Sequence, residues 1–461
     1  MRLSLLFTLF FVALGFPQEV TFKKGEIIDS IPVVGTTNNT FALYLPNGYD
    51  PSAPSTILFI FDPGARSILA IQPFLASAEK YNYILVCSNT TKNGPYESNF
   101  RIANHLFSYI FSIFSIDERR IYVSGFSGGA RLATAIAVSS ASIQGVIGCG
   151  AGFGGLPYIP TAESGFSYVG LVGDRDMNYQ EMIKIKNWLT TQPINGEVFV
   201  FEDDHRWPQP EQLLLAFSWL ELQAYEKGII PKKDIDIKAI FLENLMVADT
   251  LERKNNILLA VEEYERIIRN YAPYFELDSL VNKIKELKRL KNYKKEFKDQ
   301  KRIASLEDTL RLKFQEKFST EIESSRGKDN FKWWQKEIGK LEVKYINSKQ
   351  NHYQNLGKRL QQSLFAMAYE SSNGYIQNKE FNKALYCDQL LIVLQPKSQF
   401  IQFRVAQSYA RVNNMKKLLE HLERALQLGL KDMEYLRKTK EFNPYLNHES
   451  FKKLLEKYEM N

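Results

Sequence analysis

Cysteine and histidine are scarce in this chain, and each scarcity excludes something. Three cysteines, Cys87, Cys149 and Cys387, are spread over 461 residues. An odd number with no paired short spacing excludes a disulfide framework and gives no metal-ligating pattern. Cys87 and Cys149 end the apolar runs Tyr83–Cys87 and Gly145–Cys149 and read as buried thiols. Only five histidines exist, His105, His205, His352, His421 and His448, so few positions can supply a base near neutral pH. Beyond the N-terminus no apolar run approaches the about 20 residues a membrane-spanning helix needs. Glycine and proline are sparse in the second half: residues 1–231 hold 20 of 25 Gly and 14 of 17 Pro. Turn-rich sequence stops near Pro231, and long helices are predicted beyond it.

Charge divides the chain at the same place. Residues 19–225 carry 13 Lys+Arg against 19 Asp+Glu, a balance of −6, and residues 226–461 carry 45 against 33, a balance of +12. Opposite signs indicate two modules. Met1-Arg2 followed by the uncharged run Leu3–Phe16 has the form of a secretory signal peptide over residues 1–18, cleaved between Gly15 and Gln18. The expectation is therefore an exported protein, periplasmic or secreted. The predicted organisation is a catalytic domain over 19–226, a linker over 227–234 and a helical domain over 235–461.

In the first module short apolar runs alternate with helical patterns. Strands are predicted at Phe41–Leu45, Thr56–Asp62, Tyr83–Ser88, Ile121–Phe126, Gly145–Cys149, Tyr168–Val172 and Glu197–Glu202, with helices around 69–80, 99–114, 129–140, 179–191 and 210–226. Continuously apolar strands such as Ile57–Phe61 suit a sheet buried on both faces. The alternation implies an α/β fold, a mostly parallel sheet flanked by helices. About twenty residues separate the 145–149 and 168–172 strands, which leaves no room for a large lid.

The second module shows self-similarity at a 34-residue shift. Ala368, Ser372, Tyr375 and Ala384 are followed in register by Gln402, Ala406, Tyr409 and Leu418, with Ala425 at the late small position. Residues 275–350 are rich in Lys and Glu and read as solvated helices, with the basic run Lys283–Lys301 as an exposed face. A nucleic-acid surface would interleave Lys and Arg with stacking aromatics on a fold built for it, and the expected export argues against that role.

One motif carries chemistry. Gly125-Phe126-Ser127-Gly128-Gly129 follows the strand Ile121–Val123 and opens a helix, which is Gly-x-Ser-x-Gly in the strand–turn–helix setting that presents a serine hydroxyl at a sheet edge. A serine needs a base oriented by an acid, and in this setting they follow in the order Ser, Asp, His. His105 precedes the serine, and the last three histidines lie in the helical module. His205 follows the last predicted strand in Asp203-Asp204-His205-Arg206-Trp207-Pro208 and is the expected base. The acid falls in Gly170-Leu171-Val172-Gly173-Asp174-Arg175-Asp176, where Asp174 and Asp176 are both candidates. Backbone donors to a developing oxyanion are expected at Gly128 and at Ala65 or Gly64, in Asp62-Pro63-Gly64-Ala65-Arg66.

These elements, with His205-Arg206-Trp207-Pro208, make residues 35–225 resemble the α/β-hydrolase superfamily, particularly small esterases of the dienelactone-hydrolase and polyhydroxybutyrate-depolymerase/feruloyl-esterase type. Those carry His-Gly where this chain has Asp62-Pro63-Gly64. The resemblance selects Asp176 as the acid, since such hydrolases place it in Gly-x-x-Asp. Residues 365–430 resemble tetratricopeptide repeats, with a weaker copy over 238–273. The resemblance implies a carboxylic-ester hydrolase that uses an acyl-enzyme and needs no metal or organic cofactor, acting on a small or polymer-linked ester. The helical repeats would serve a protein partner or self-association. Two other readings compete: a non-catalytic hydrolase-like scaffold, and a peptidase or acyltransferase using the same triad.

Overall fold

The computed structural model describes residues 22–231, 236–323 and 331–459. The expected signal peptide lies outside them, as do residues 232–234 of the expected linker. The first half is built on strands β1 (Ile27–Pro32), β2 (Thr40–Tyr44), β3 (Ser55–Phe61), β4 (Tyr83–Ser88), β5 (Ile116–Phe126), β6 (Gly145–Cys149), β7 (Ser167–Gly173) and β8 (Gly196–Phe201). Helices α1 (Ser67–Ile71), α2 (Leu75–Tyr81), α3 (Tyr96–Ile113), α4 (Gly128–Ser139), α5 (Tyr179–Leu189) and α6 (Pro210–Glu226) connect and follow them.

The strands form one sheet in the order β1-β2-β4-β3-β5-β6-β7-β8. β1 and β2 enter antiparallel, and from β4 to β8 every neighbour pair is parallel. Every residue of β3, β4, β6 and β7 is buried, because helices cover both faces. On one face α3, α4 and α5 contribute Leu106, Ala133 and Met182 to a core with Phe59 and Val123. On the other, α1, α2 and α6 contribute Ile71, Ala78 and Phe217 to a core with Leu58 and Leu171. This is the α/β fold, a mostly parallel sheet flanked by helices, that the alternating pattern implied. The β6–β7 connection, residues 150–166, holds only a short 3-10 turn at Ala162–Ser164, too little for a lid domain.

Two local differences have physical causes. β1 was not expected; it is a short, half-exposed edge strand, interrupted by a register shift between Ile28 and Ile31, with Ser30 at φ 57°. The single helix expected over 69–80 is broken by a 3-10 turn at Gln72–Phe74, whose Pro73 has no N–H to continue an α-helical ladder.

The second half is all-α: α7 (Ile237–Arg253), α8 (Ile257–Tyr271), α9 (Asp278–Arg289), α10 (Lys291–Glu323), α11 (Lys332–Leu341), α12 (Asn351–Gln377), α13 (Phe381–Leu394), α14 (Gln399–Arg411), α15 (Met415–Gln427), α16 (Met433–Lys438) and α17 (Glu449–Glu459). α12 with α13, and α14 with α15, form helix pairs joined by tight turns at Lys379 and Asn413, both at positive φ. Ala368, Ser372, Ala384, Ala406, Leu418 and Ala425 are fully buried between these helices, where small side chains allow close approach. The two halves are packed together. Lys186 pairs with Glu262 at 2.8 Å and Arg269 with Glu197 at 2.9 Å, while the Arg266 guanidinium covers the Phe199 ring at 4.4 Å.

Phe59 sits in the centre of β3, fully buried, with its ring 4.1 Å from that of Phe107 on α3. Phe59→Ala should cost about 3–5 kcal/mol, read as a lowered denaturation midpoint followed by tryptophan fluorescence. An unchanged midpoint would contradict the packing described.

Candidate active site

The parallel strands β3, β5, β7 and β8 point their carboxyl ends to one edge of the sheet, where open α/β sheets present ligand-binding loops. The loop after β5 makes a tight turn. Ser127 stands between β5 and α4 at φ 53° and ψ −117°, a conformation that costs a non-glycine residue on the order of 1–3 kcal/mol. Two glycines make the turn sterically feasible. A Cβ on Gly125 would come within 2.1 Å of the Gly129 carbonyl oxygen, and one on Gly129 within 2.0 Å of the Phe61 carbonyl oxygen. The Ser127 N–H is tied to the Cys149 carbonyl at 2.8 Å, fixing the turn against β6. Its hydroxyl is thereby projected over the sheet edge, in a partly exposed position.

The loop after β8 delivers His205. Its Nε2 lies 3.0 Å from Ser127 Oγ and its Nδ1 2.8 Å from Asp176 Oδ2. The imidazole rests against the Phe126 ring, centroids 4.6 Å apart, and Phe126 in turn packs on Trp207. Asp176 comes from the loop after β7 and is buried, 1% exposed. Its second oxygen, Oδ1, accepts the Asn178 N–H at 2.7 Å, and Asn178 is anchored by its side chain to the Gly150 carbonyl at 2.7 Å. With both oxygens engaged, the carboxylate presents one fixed lone pair to the imidazole. Nδ1 must donate to it, which leaves the Nε2 lone pair for the serine proton.

Of the two candidate acids, the structure brings Asp176 to His205 and sends Asp174 elsewhere. Asp174 faces the helical half, accepting from Asn355 Nδ2 at 2.7 Å and from Arg175 Nη1 at 3.2 Å. Burial there pushes its carboxyl up from 3.8 to about 6, against the opposing pull of Arg175. The other histidines stand apart from Ser127. His105 is exposed on α3, and His352, His421 and His448 make their contacts within the helical half.

The expected oxyanion donors need a correction. Gly128 is the first residue of α4, so its N–H has no intrahelical acceptor and stands at the positive end of the helix dipole. Gly64 and Ala65 are different: their N–H groups turn inward, to Asp62 Oδ1 at 2.8 Å and the Asp62 carbonyl at 3.1 Å. The cause is Asp62 itself. Buried at the end of β3, it also accepts Arg66 Nε at 2.8 Å and Trp207 Nε1 at 3.0 Å. Burial raises its pKa, but these donors outweigh that and hold it below the ordinary range. Asp62 thus draws the turn closed and ties it to the His205 loop through Trp207. Opposite Gly128 the Asn93 side chain closes in: a Cβ on Gly128 would meet Asn93 Oδ1 at 1.9 Å.

Two recesses open at residues that follow Ser127 and His205 in the chain, Gly128 in one and Arg206 in the other. A cavity of about 150 Å³ is bounded by Gly128, Gly129, Asn93, Pro63 and Tyr96. A wider one of about 940 Å³ lies along Ala65, Arg66, Ile68, Leu69 and Trp207, with Ile68 and Leu69 half exposed. Among the described residues no group of His, Cys, Asp and Glu is placed to hold a metal ion, and no helix is long and apolar enough to cross a membrane. All three cysteines are buried and unpaired.

No family model and no curated protein matches the sequence. Distant shape likenesses exist among solved structures. The fluorophosphonate-binding serine hydrolase F of Staphylococcus aureus is 11% identical, with 43% of this chain and 99% of that one covered at a TM-score of 0.35. A thermophilic esterase from the planctomycete Thermogutta terrifontis is 12% identical over 45% and 95%, TM-score 0.33. The feruloyl esterase module from Clostridium thermocellum is 14% identical over 40% and 83%, TM-score 0.34. Likeness at this level carries no argument about chemistry.

Asp174 and Asp176 are separable by experiment. With its pKa raised, Asp174 stabilises the fold below pH 3.8, and that contribution is lost as pH rises through about 6. Asp174→Asn should therefore melt above the wild type at pH 7, the gap closing as pH falls toward 4. A gap that stays constant with pH would contradict the burial described.

Proposed function

We propose that this chain is a serine hydrolase acting on carboxylic esters. The observation that carries the reading is His205 bridging Ser127 Oγ at 3.0 Å and Asp176 Oδ2 at 2.8 Å. In the reaction Ser127 Oγ attacks the ester carbonyl carbon while His205 Nε2 takes the hydroxyl proton. Asp176 holds the ring's tautomer and offsets the charge it gains. The oxyanion is met by the Gly128 N–H and the α4 dipole. The tetrahedral intermediate collapses as His205 returns its proton to the leaving alcohol. Water, deprotonated by the same nitrogen, then attacks the acyl-enzyme and releases the acid. The half-exposed Ile68 and Leu69 beside this site suit an apolar portion of the substrate. With β6 and β7 joined by a short connection, the site is suited to small esters or to ester groups borne on a polymer.

Export through residues 1–18 belongs to the same proposal, as does the reading of the α12–α15 helix pairs as tetratricopeptide-like repeats that offer a surface to a protein partner or a second copy.

Ser127→Ala should lower kcat for a short p-nitrophenyl ester by roughly 10⁴-fold or more, with His205→Asn and Asp176→Asn also severely impaired. Ser127 should be the residue modified by a fluorophosphonate probe. Undiminished turnover in Ser127→Ala would remove the serine from the mechanism.

A further inference from the structure

The helical half returns to the sheet at one place of chemical consequence, the loop that carries Asp176. Glu307 on α10 is fully buried, 0% exposed. It accepts Arg359 Nε and Nη2 at 2.9 and 2.7 Å from α12, Arg311 Nη2 at 2.7 Å from the next turn of α10, and Gln180 Nε2 at 3.1 Å from α5. Burial pushes the Glu307 carboxyl up, but Arg359 and then Arg311 outweigh it and leave it below its usual range. Both guanidinium groups also reach past the glutamate. Arg359 Nη1 donates to the Asp174 carbonyl at 2.7 Å, and Arg311 Nη2 to the Met177 carbonyl at 2.7 Å. These carbonyls flank Asp176 on either side. Asn355, one turn before Arg359, holds the Asp174 side chain, and the Tyr179 ring lies under the Arg359 guanidinium at 4.7 Å.

A buried ion cluster is weak support for stability, since desolvation offsets its Coulomb gain. Its directionality is another matter. Planar guanidiniums that are locked by one carboxylate can aim their remaining N–H groups within narrow limits. Here the two arginines grip one short loop at the residues on both sides of the acid.

We infer that Arg359 and Arg311, locked by Glu307, are positioning residues that set where Asp176 stands against His205, so that the helical half completes the active site of the other half. The inference rests on the Ser127–His205–Asp176 reading. It makes the second half a structural part of catalysis, not a tethered appendage. A loop released from this grip would let the Asp176 carboxylate drift from Nδ1, and a misplacement of about 1 Å can cost on the order of 10²-fold in rate.

The test uses the full-length protein, with p-nitrophenyl butyrate as substrate and a fluorophosphonate as probe. Arg359→Met and Glu307→Gln should lower kcat by roughly 10–100-fold with KM nearly unchanged, and slow Ser127 labelling in the same proportion. Arg311→Met, at a more exposed side chain, is the variant to read if Arg359→Met fails to fold. Lys186→Met removes an ion pair between the same two halves away from the loop and should leave kcat within about twofold. The inference is overturned if folded Arg359→Met and Arg311→Met keep wild-type kcat while the wild type labels at Ser127. It is equally overturned if Lys186→Met loses as much kcat as they do, which would mark general loosening of the interface. Absence of Ser127 labelling in the wild type would instead bring down the hydrolase reading, and this inference with it.

Discussion

At the turn 125–129 there is no space for a single additional carbon, and the geometry of the whole site follows from that. β5 must reverse into α4 hard against the Phe61 carbonyl, so glycine stands at 125 and 129, and Ser127 takes up a strained positive φ. Strain of this kind persists only where its surroundings over-determine it. Here the neighbouring parallel strands do so, with the Ser127 N–H bonded to β6 and the following N–H groups opening a helix. A relaxed turn would withdraw the hydroxyl from the edge where the β7 and β8 loops can reach it.

The remaining side chains are held by different means. Asp176 is fixed locally, through Asn178 and the Gly150 carbonyl, and from a distance by two arginines of the helical half. His205 is held by the Phe126 ring and by its neighbour Trp207, whose indole N–H ends on Asp62. Asp62 therefore links the β3 loop to the His205 loop. The same carboxylate draws in the Gly64 N–H, and its carbonyl that of Ala65, leaving the helix end at Gly128 as the open donor.

Much of this was legible in the sequence because it follows from local patterns. Continuous apolar runs marked the buried strands β3, β4, β6 and β7, and the glycine-flanked serine marked the turn. The order of the loops led to His205 and the resemblance to Asp176. β1 escaped because an edge strand interrupted at Asp29-Ser30 has no continuous apolar signature. The oxyanion loop was misread because the chain shows an aspartate at 62 but not where its oxygens point. Glu307 and Arg311 were hidden in a helix whose Lys- and Glu-rich composition reads as solvated surface, and Arg359 in a helix with no charge pattern to mark it. Their pairing depends on a fold-back of α10 and α12 onto α5 that no local period encodes.

A crystal structure of the protein after reaction with a small fluorophosphonate tests the central claim most directly. The account predicts phosphorus bonded to Ser127 Oγ, His205 Nε2 still within hydrogen-bond distance of that oxygen, Asp176 unmoved behind it, and a phosphoryl oxygen on the Gly128 N–H. An adduct on any other side chain, or a bound phosphonate with the His205 ring turned away from Ser127, would contradict it.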